Sequence, residues 1–254
     1  IGITTKPYVN IGRMRNSGWD SSLQYDQKIG QVNFSAMGNF TFARNVIEDQ
    51  DQPDYIEKYM NRTGQARWQT FGYVSDGLFK DEADIATSPD QSALGEVRPG
   101  DIKYKDINND GVIDSKDVKA IGYTDVPEIV YGFGVSAQWK GFDVSVFFQG
   151  NAHVSFSINS SMVRGFTEPK MAANNVFSDI YGNYWTESNT DAKYPRLTTT
   201  EATNNNQSSD FWLVNGRYIR LKNAEFGYTF PKRLIQKMRL SQLRVFVSGT
   251  NLLT

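Results

Sequence analysis

Hydrophobic and polar residues alternate with a period of two in blocks of about ten positions, the pattern of strands whose two faces meet different surroundings. In the clearest block Tyr131, Phe133, Val135, Ala137 and Trp139 fall on one face, and Gly132, Gly134, Ser136 and Gln138 on the other. A tight turn at Lys140-Gly141 leads into a block where Phe142, Val144, Val146 and Phe148 alternate with Asp143, Ser145, Phe147 and Gln149. Together these predict a hairpin. Upstream, Trp19, Leu23 and Tyr25 alternate with Asp20, Ser22 and Gln24. After a turn over 26–30, Val32, Phe34, Ala36, Gly38, Phe40 and Phe42 alternate with Asn33, Ser35, Met37, Asn39 and Thr41, which predicts a second hairpin. A third pair runs over 218–230 and 243–250, with a short helix expected at Lys232 to Met238 after Pro231. Its apolar face changes from Ile219 and Leu221 to Ala224, Phe226 and Tyr228, so a bulge is expected near Asn223.

The connections alternate in length. Joints inside the hairpins are short, whereas the stretches over about 45–129 and about 150–214 are long and polar. Connections of that length are uncommon in compact soluble domains. They are expected in outer-membrane barrels, which join strands by short periplasmic turns and long external loops and alternate apolar-out with polar-in. Tyr131 and Trp139 lie eight residues apart on one face, about the span of a tilted membrane strand with an aromatic girdle at each rim. The expected fold class is all-β: an antiparallel transmembrane β-barrel segment, with 1–254 part of one barrel domain and the two long connections as extracellular loops. Half-buried strands of a soluble sandwich give the same alternation, and that alternative stays open. Six strands fall short of the roughly eight that close a bacterial barrel. A longer parent protein is therefore expected, in keeping with a start at Ile1 and a strand pattern still running at 251–254.

The charge balance narrows the partners. With 27 basic and 28 acidic residues the net charge is -1, which argues against a global electrostatic footprint for nucleic acid or anionic lipid; a phosphate-binding face could only be local. Aromatic residues make up 13% of the 254 residues. Mean hydropathy is nevertheless -0.51, and no apolar run approaches the ~18 residues of a membrane helix. Helical spans are excluded. The absence of Cys removes disulfides, thiolate metal sites and cysteine nucleophiles, and a single His, His153, argues against a zinc site or a Ser-His-Asp triad.

The sharpest chemical motif is Asp106-Ile-Asn108-Asn-Asp110-Gly111-Val112-Ile113-Asp114-Ser-Lys-Asp117. Oxygen-bearing residues recur at loop positions 1, 3, 5, 9 and 12, the Val112 carbonyl would supply position 7, and Gly111 sits at the sharp turn, the spacing of an EF-hand-type calcium loop. Two features depart from that pattern: Asp117 is shorter than the usual bidentate Glu, and the segment from Arg98 into the loop is not helical. The expectation is a structural Ca2+ held by Asp106, Asn108, Asp110, Val112, Asp114 and Asp117, as in dockerin-type repeats. A solvated turn whose side-chain oxygens cap backbone amides is the alternative.

Weaker signals have blander readings. Gly132-Phe-Gly134-Val-Ser-Ala137 matches a dinucleotide fingerprint but lies inside a strand, where its glycines are expected to thin the inner face. Asp81, Glu82 and Asp84, or Asp179, Glu187 and Asp191, form acidic clusters with no identifiable glycosidase pairing. Among the loop aromatics Tyr181, Tyr184, Trp185, Phe211 and Trp212, Tyr184 and Trp185 are the candidate substrate-binding residues, with a loop-packing role as the alternative. The run 204–209 reads as an exposed loop tip.

Several runs together carry a family resemblance. These are Pro99-Gly-Asp-Ile-Lys-Tyr-Lys-Asp-Ile-Asn-Asn-Asp-Gly-Val-Ile-Asp114, Lys140-Gly-Phe-Asp-Val-Ser-Val-Phe-Phe-Gln-Gly150, Phe71-Gly-Tyr-Val-Ser-Asp-Gly-Leu-Phe79 and Tyr218-Ile-Arg-Leu-Lys-Asn-Ala-Glu-Phe-Gly-Tyr-Thr-Phe-Pro231, with Val9-Asn-Ile-Gly-Arg-Met-Arg-Asn-Ser-Gly18 before them and Val247-Ser-Gly-Thr-Asn-Leu-Leu253 after. In this order they resemble the C-terminal half of SusC/RagA-type TonB-linked outer-membrane proteins. The resemblance implies a 22-stranded barrel with an N-terminal plug in the outer membrane of a Bacteroidota-like Gram-negative bacterium. It implies a SusD-like surface lipoprotein as lid, TonB as energy source, an oligosaccharide or peptide as cargo and membrane lipid around the barrel. It implies no catalytic activity. The plug and TonB box have no counterpart in these residues.

Overall fold

The computed structural model describes residues 11–164, 166 and 176–254. The first two residues of the Val9–Gly18 run lie outside them. The chain divides into two compact units, one built from 16–44, 126–154 and 216–254, the other from the described residues within 1–15, 45–125 and 155–215.

The first unit is the sheet that the alternation predicts. Its long strands are β1 (Arg13–Ile29), β2 (Val32–Asp49), β7 (Ile129–Trp139), β8 (Phe142–Ala152), β11 (Tyr218–Thr229) and β12 (Arg244–Leu253), and they form one six-stranded sheet in the order β1-β2-β7-β8-β11-β12. Sequence order is also spatial order, with β2/β7, β7/β8, β8/β11 and β11/β12 each antiparallel. All three expected hairpins are present, but β1 runs as strand through Ile29, so the first turn is the tight Gly30-Gln31, with Gly30 at φ 61°, and not 26–30 as the polar residues there suggested. Lys140 (φ 48°) and Gly141 (φ 95°) both occupy the left-handed region, which lets a two-residue turn follow the right-handed twist of β7 and β8. The expected bulge is present too: β11 shifts register between Leu221 and Asn223 against both β8 and β12. After Pro231 the chain forms one helical turn, Lys232–Ile235, continued as a 3-10 turn, Gln236–Met238. Among the described residues the sheet is open between β1 and β12, and no helix is long and apolar enough to cross a membrane.

The second unit gathers both long connections around a core of their own. It contains three two-stranded ribbons, β3 (Phe71–Gly72) with β6 (Lys119–Ala120), β4 (Ser75–Leu78) with β5 (Ile102–Tyr104), and β9 (Ser155–Ser157) with β10 (Leu213–Asn215). Tyr73, Leu78, Ile102, Tyr104, Ile113, Ile180, Tyr194 and Trp212 form its buried cluster. The apolar residues in these stretches are sparse and unevenly spaced, so no periodicity advertises this core.

One expectation is corrected here. The run 204–209 is not an exposed tip: Asn204 is completely buried and Asn205 and Ser209 nearly so. The reason is that a side-chain amide carries the same donor and acceptor as a peptide group. Asn204 Nδ2 donates to Ile102 O (2.8 Å), Asn205 Oδ1 accepts from Ile102 N (2.8 Å), and Gln91 Oε1 accepts from Tyr104 N (2.6 Å), so side chains complete the pairing of β5. The same cluster buries the Asp101 carboxylate, which accepts from Asn205 Nδ2 (2.8 Å) and Arg98 N (2.9 Å) and pairs with Arg196, whose Nε lies 2.8 Å away. Asp101 comes from the first long connection, Arg196 and Asn205 from the second, so these bonds tie the two together.

Asp84 offers a pH handle on this unit. The Lys103 ammonium, 2.8 Å away, and the Lys80 amide hold its carboxyl below the ordinary value, against a smaller opposing effect of burial. A carboxyl with a depressed folded value stabilises the fold at pH above its unfolded value, near 4, and that contribution disappears as pH falls through the folded value. Lys103→Met is expected to lower stability by about 1 kcal/mol near neutrality and to flatten its fall below pH ~4, as measured by thermal unfolding of the chain across pH.

Candidate functional site

The candidate site follows from the register of the long strands, because residues directly opposite one another share a face. One face carries the rows Phe34, Ala137, Val144, Phe226 and Val247, then Ala36, Val135, Val146 and Ala224. These side chains are open to the surroundings: Val135 and Val144 are each 45% exposed, Phe226 51% and Val247 69%. Aromatic rings bound the face at two levels. At one, Trp19 stacks on Phe40 with centroids 4.8 Å apart, and Phe40 lies opposite Tyr131. At the other, Trp139 lies opposite Phe142, whose ring is 4.5 Å from Tyr228, which in turn meets Phe230 at 5.0 Å. Eleven residues of β7 rise ~36 Å, or ~25 Å at a 45° tilt, the height of a bilayer's hydrocarbon.

The opposite face is mainly polar. Ser35, Ser136, Ser145, Glu225 and Ser248 make one row, and Asn33, Gln138, Asp143 and Gly227 the next. Arg244 lies on this face too, paired with Asp143 and, at 2.5 Å, with Glu225. This triad joins three strands and was invisible to the sequence reading, since it needs the register. Apolar or aromatic residues on it include Met37, Val130, Phe147, Tyr218 and Phe246. Gly132 and Gly134 make room for Phe147: a Cβ at Gly132 would lie 2.7 Å from its Cζ, and one at Gly134 2.9 Å from its Cδ2. The dinucleotide-like pattern is thus a packing device.

The acidic loop folds as a set of side-chain-capped turns. Asp106 accepts from Asn109 N (2.6 Å) and Gly111 N (2.7 Å), Asn108 Oδ1 from Asp110 N (3.1 Å), Asp110 Oδ1 from Val112 N (3.0 Å) and Asp114 Oδ1 from Lys116 N (2.7 Å). Gly111 turns at φ 84°, and Ile113, fully buried, pins the loop to the core. As expected, a strand, β5, precedes it instead of a helix, and a 3-10 turn, Ser115–Asp117, follows. The buried Asp117 carboxylate joins the two ends by accepting from Ile107 N (2.7 Å) and Asp114 N (2.9 Å). Lys116 places its ammonium 3.2 Å from Asp110 and 3.5 Å from Asp114. Hydrogen bonding from Asn108, the Val112 amide and Lys116 holds the Asp110 carboxyl below its ordinary value. Among the described residues no three acidic or His side chains converge as a metal cluster. The all-oxygen donor set suits a hard cation, but an ion would have to displace Lys116.

Most of the other singled-out residues have structural partners. Trp185 donates its amide to Tyr194 O (2.9 Å), and its ring crosses Gly100 so closely that a Cβ there would lie 2.5 Å from it. Tyr184 and Trp185 both pack against the buried cluster, whereas Tyr181 is exposed. Asp179 accepts from Tyr194 Oη (2.6 Å) and Lys193 Nζ (3.1 Å), and these bonds hold its carboxyl below the ordinary value. Asp81 caps the helix Glu82–Thr87 through Asp84 N, and Glu187 and Asp191 are exposed. His153 Nδ1 lies 3.1 Å from Glu128, which also receives a bidentate pair from Arg44 at 2.7 Å.

No protein-family model matches the chain. Among curated proteins it is similar to TonB-dependent receptor P3 of Formosa agariphila (28% identical over 96% of this chain and 24% of that protein). It is also similar to receptor P26 of the same organism (26% identical, 96% and 25%). The chain therefore spans about a quarter of the length of the curated relatives it matches. Among solved structures it superposes on the RagAB peptide importer in its open-open state, with a TM-score of 0.67 and 20% identity over 95% of this chain and 25% of that one. A second structure, of the RagAB peptide transporter, gives 0.65 and 22% over 96% and 26%. The resemblance read from the motifs thus holds along nearly the whole chain in sequence, and the antiparallel fold agrees.

Proposed function

We propose that this chain supplies consecutive membrane-crossing strands and external connections of a TonB-dependent importer in the outer membrane, working with a SusD-like surface lipoprotein and taking up oligosaccharide or peptide. The observation that carries this reading is the pair of sheet faces: a continuous exposed apolar face bounded by two aromatic levels, backed by a polar face of serine, asparagine and charge. In a barrel the first meets lipid and the second lines the lumen, and satisfied backbone hydrogen bonding requires the sheet to close with further strands. The similarity to TonB-dependent receptors supports the same reading and favours it over a soluble sandwich. No catalytic role is assigned; the chain's part is to wall and shape a passage.

The test compares adjacent positions in the full-length protein. Val144→Arg puts a charge into lipid at mid-strand, at a cost of about 2–4 kcal/mol. It should reduce the heat-modifiable, membrane-assembled fraction. Ser145→Arg, between Ser136 and Glu225 on the polar face, should leave that fraction near wild type. Equal losses would contradict the assignment of faces.

A structural Ca2+ in the loop 106–117 is part of the proposal, held by Asp106, Asn108, Asp110, the Val112 carbonyl, Asp114 and Asp117 after Lys116 swings away. Because Lys116 competes for the same carboxylates, Lys116→Gln should bind calcium at least about fivefold more tightly, the effect of ~1 kcal/mol of removed competition. Calorimetric calcium titration of the two proteins, with proteolysis of 101–122 as a second readout, checks it. No calcium-dependent change in either would remove the ion.

A further inference from the structure

The joint between β11 and β12 is not used by the reading above except as a turn. Residues 231–243 carry four cations, Lys232, Arg233, Lys237 and Arg239, and no acidic residue, in a chain whose net charge is -1. The segment turns once as helix and once as 3-10, and Arg239 in the left-handed region (φ 56°) ends it. Ile235 is its buried anchor, 2% exposed, and its carbonyl accepts from Leu240 N at 3.2 Å. Everything around that anchor faces outward. The four cations are exposed, and so are Leu234 (61%) and Met238 (63%), one helical turn apart. Among the described residues none of the four cations forms an ion pair with an acidic side chain.

The rest of this sheet end has the same character. Thr229 N donates to Gly141 O (2.8 Å), which places the Lys140-Gly141 turn beside this segment, and Val32 lies opposite Trp139, which brings the β1–β2 turn alongside. These turns add Lys140, whose Nζ lies 5.1 Å from the centre of the Trp139 ring, and Lys28. The carboxylates near them are Asp26, hydrogen-bonded by Gln24, and Asp143, paired with Arg244. The aromatic level of Trp139, Phe142, Tyr228 and Phe230 lies at this same end.

Two chemistries meet at the turn: unpaired cations that seek phosphate, and exposed Leu and Met side chains that seek a hydrocarbon boundary. A soluble polyanion satisfies only the first. We infer that the β11–β12 turn is a contact site for anionic phospholipid headgroups of the leaflet facing the short turns, with Leu234 and Met238 dipping to the acyl boundary beside the aromatic level. This rests on the membrane reading above. Its occupant is a lipid surface, chosen on charge complementarity together with the apolar pair.

The experiment uses the full-length protein, reconstituted into phosphatidylcholine vesicles containing a minority of phosphatidylglycerol, with a fluorophore on Ser241→Cys. Quenching is compared between spin-labelled phosphatidylglycerol and spin-labelled phosphatidylcholine. The anionic lipid should quench with about tenfold preference, falling at high salt. The preference should vanish in Lys232→Gln/Arg233→Gln/Lys237→Gln/Arg239→Gln, and be reduced in the milder Lys232→Gln/Lys237→Gln, while heat-modifiable migration stays unchanged. Leu234→Ser/Met238→Ser should weaken quenching by both lipids. Equal quenching by the two lipids in the wild-type sequence, or an undiminished preference after neutralisation, overturns the inference while leaving the barrel reading intact. Loss of quenching by both lipids together with absent heat-modifiable migration of the wild-type sequence overturns the barrel reading and this inference with it.

Discussion

The structure depends on strand register. Each inner strand pairs with neighbours on both sides, and once β2, β7, β8, β11 and β12 are paired in step, every second side chain is committed to one face. A slip by a single residue would send Phe226 and Val144 to the polar side and Glu225 and Ser145 to the apolar one. Two local devices keep the alignment. The Lys140-Gly141 turn fixes β7 against β8, and the bulge between Leu221 and Asn223 absorbs the switch in the pattern of β11, so that apolar residues on both sides of it stay on the same face. Gly132 and Gly134 serve the same end by accepting Phe147 on the polar face without spreading the strands.

What the sequence made legible follows from the range of the interactions. Hairpins, the turn at Lys140-Gly141, the helix after Pro231 and the bulge near Asn223 are governed by residues close together in the chain, and each was readable. The acidic loop was readable for the same reason, since its turns are closed by side chains two to five positions away. Long-range features were not. Nothing local distinguishes Asn204 and Asn205 from asparagines of a solvated tip; they are buried because they and Gln91 complete the pairing of β5, about a hundred residues earlier. The triad of Asp143, Glu225 and Arg244 likewise emerges only when three strands are laid side by side.

The polar connections contain more order than their composition suggests. Charged and amide side chains there are engaged with each other and with the backbone: Asp101 with Arg196 and Asn205, Asp84 with Lys103, Asp117 with both ends of its loop. Around the small apolar cluster the buried Asp101, Asp117, Asn204 and Asn205 each find hydrogen-bond partners, which offsets the cost of burying them.

The central claim is that one sheet face meets lipid and the other water, and a cysteine scan of β8 tests it most directly. The chain has no native Cys, so single substitutions at positions 142 to 149 can be read one at a time with a membrane-impermeant maleimide, in the full-length protein assembled in its membrane and in a cysteine-free background. The account predicts labelling with a period of two, with positions 143, 145 and 149 reactive and 142, 144, 146 and 148 protected until the membrane is dissolved. Uniform labelling along the strand, or protection of 143, 145 and 149 with reactivity at 144 and 146, would contradict it.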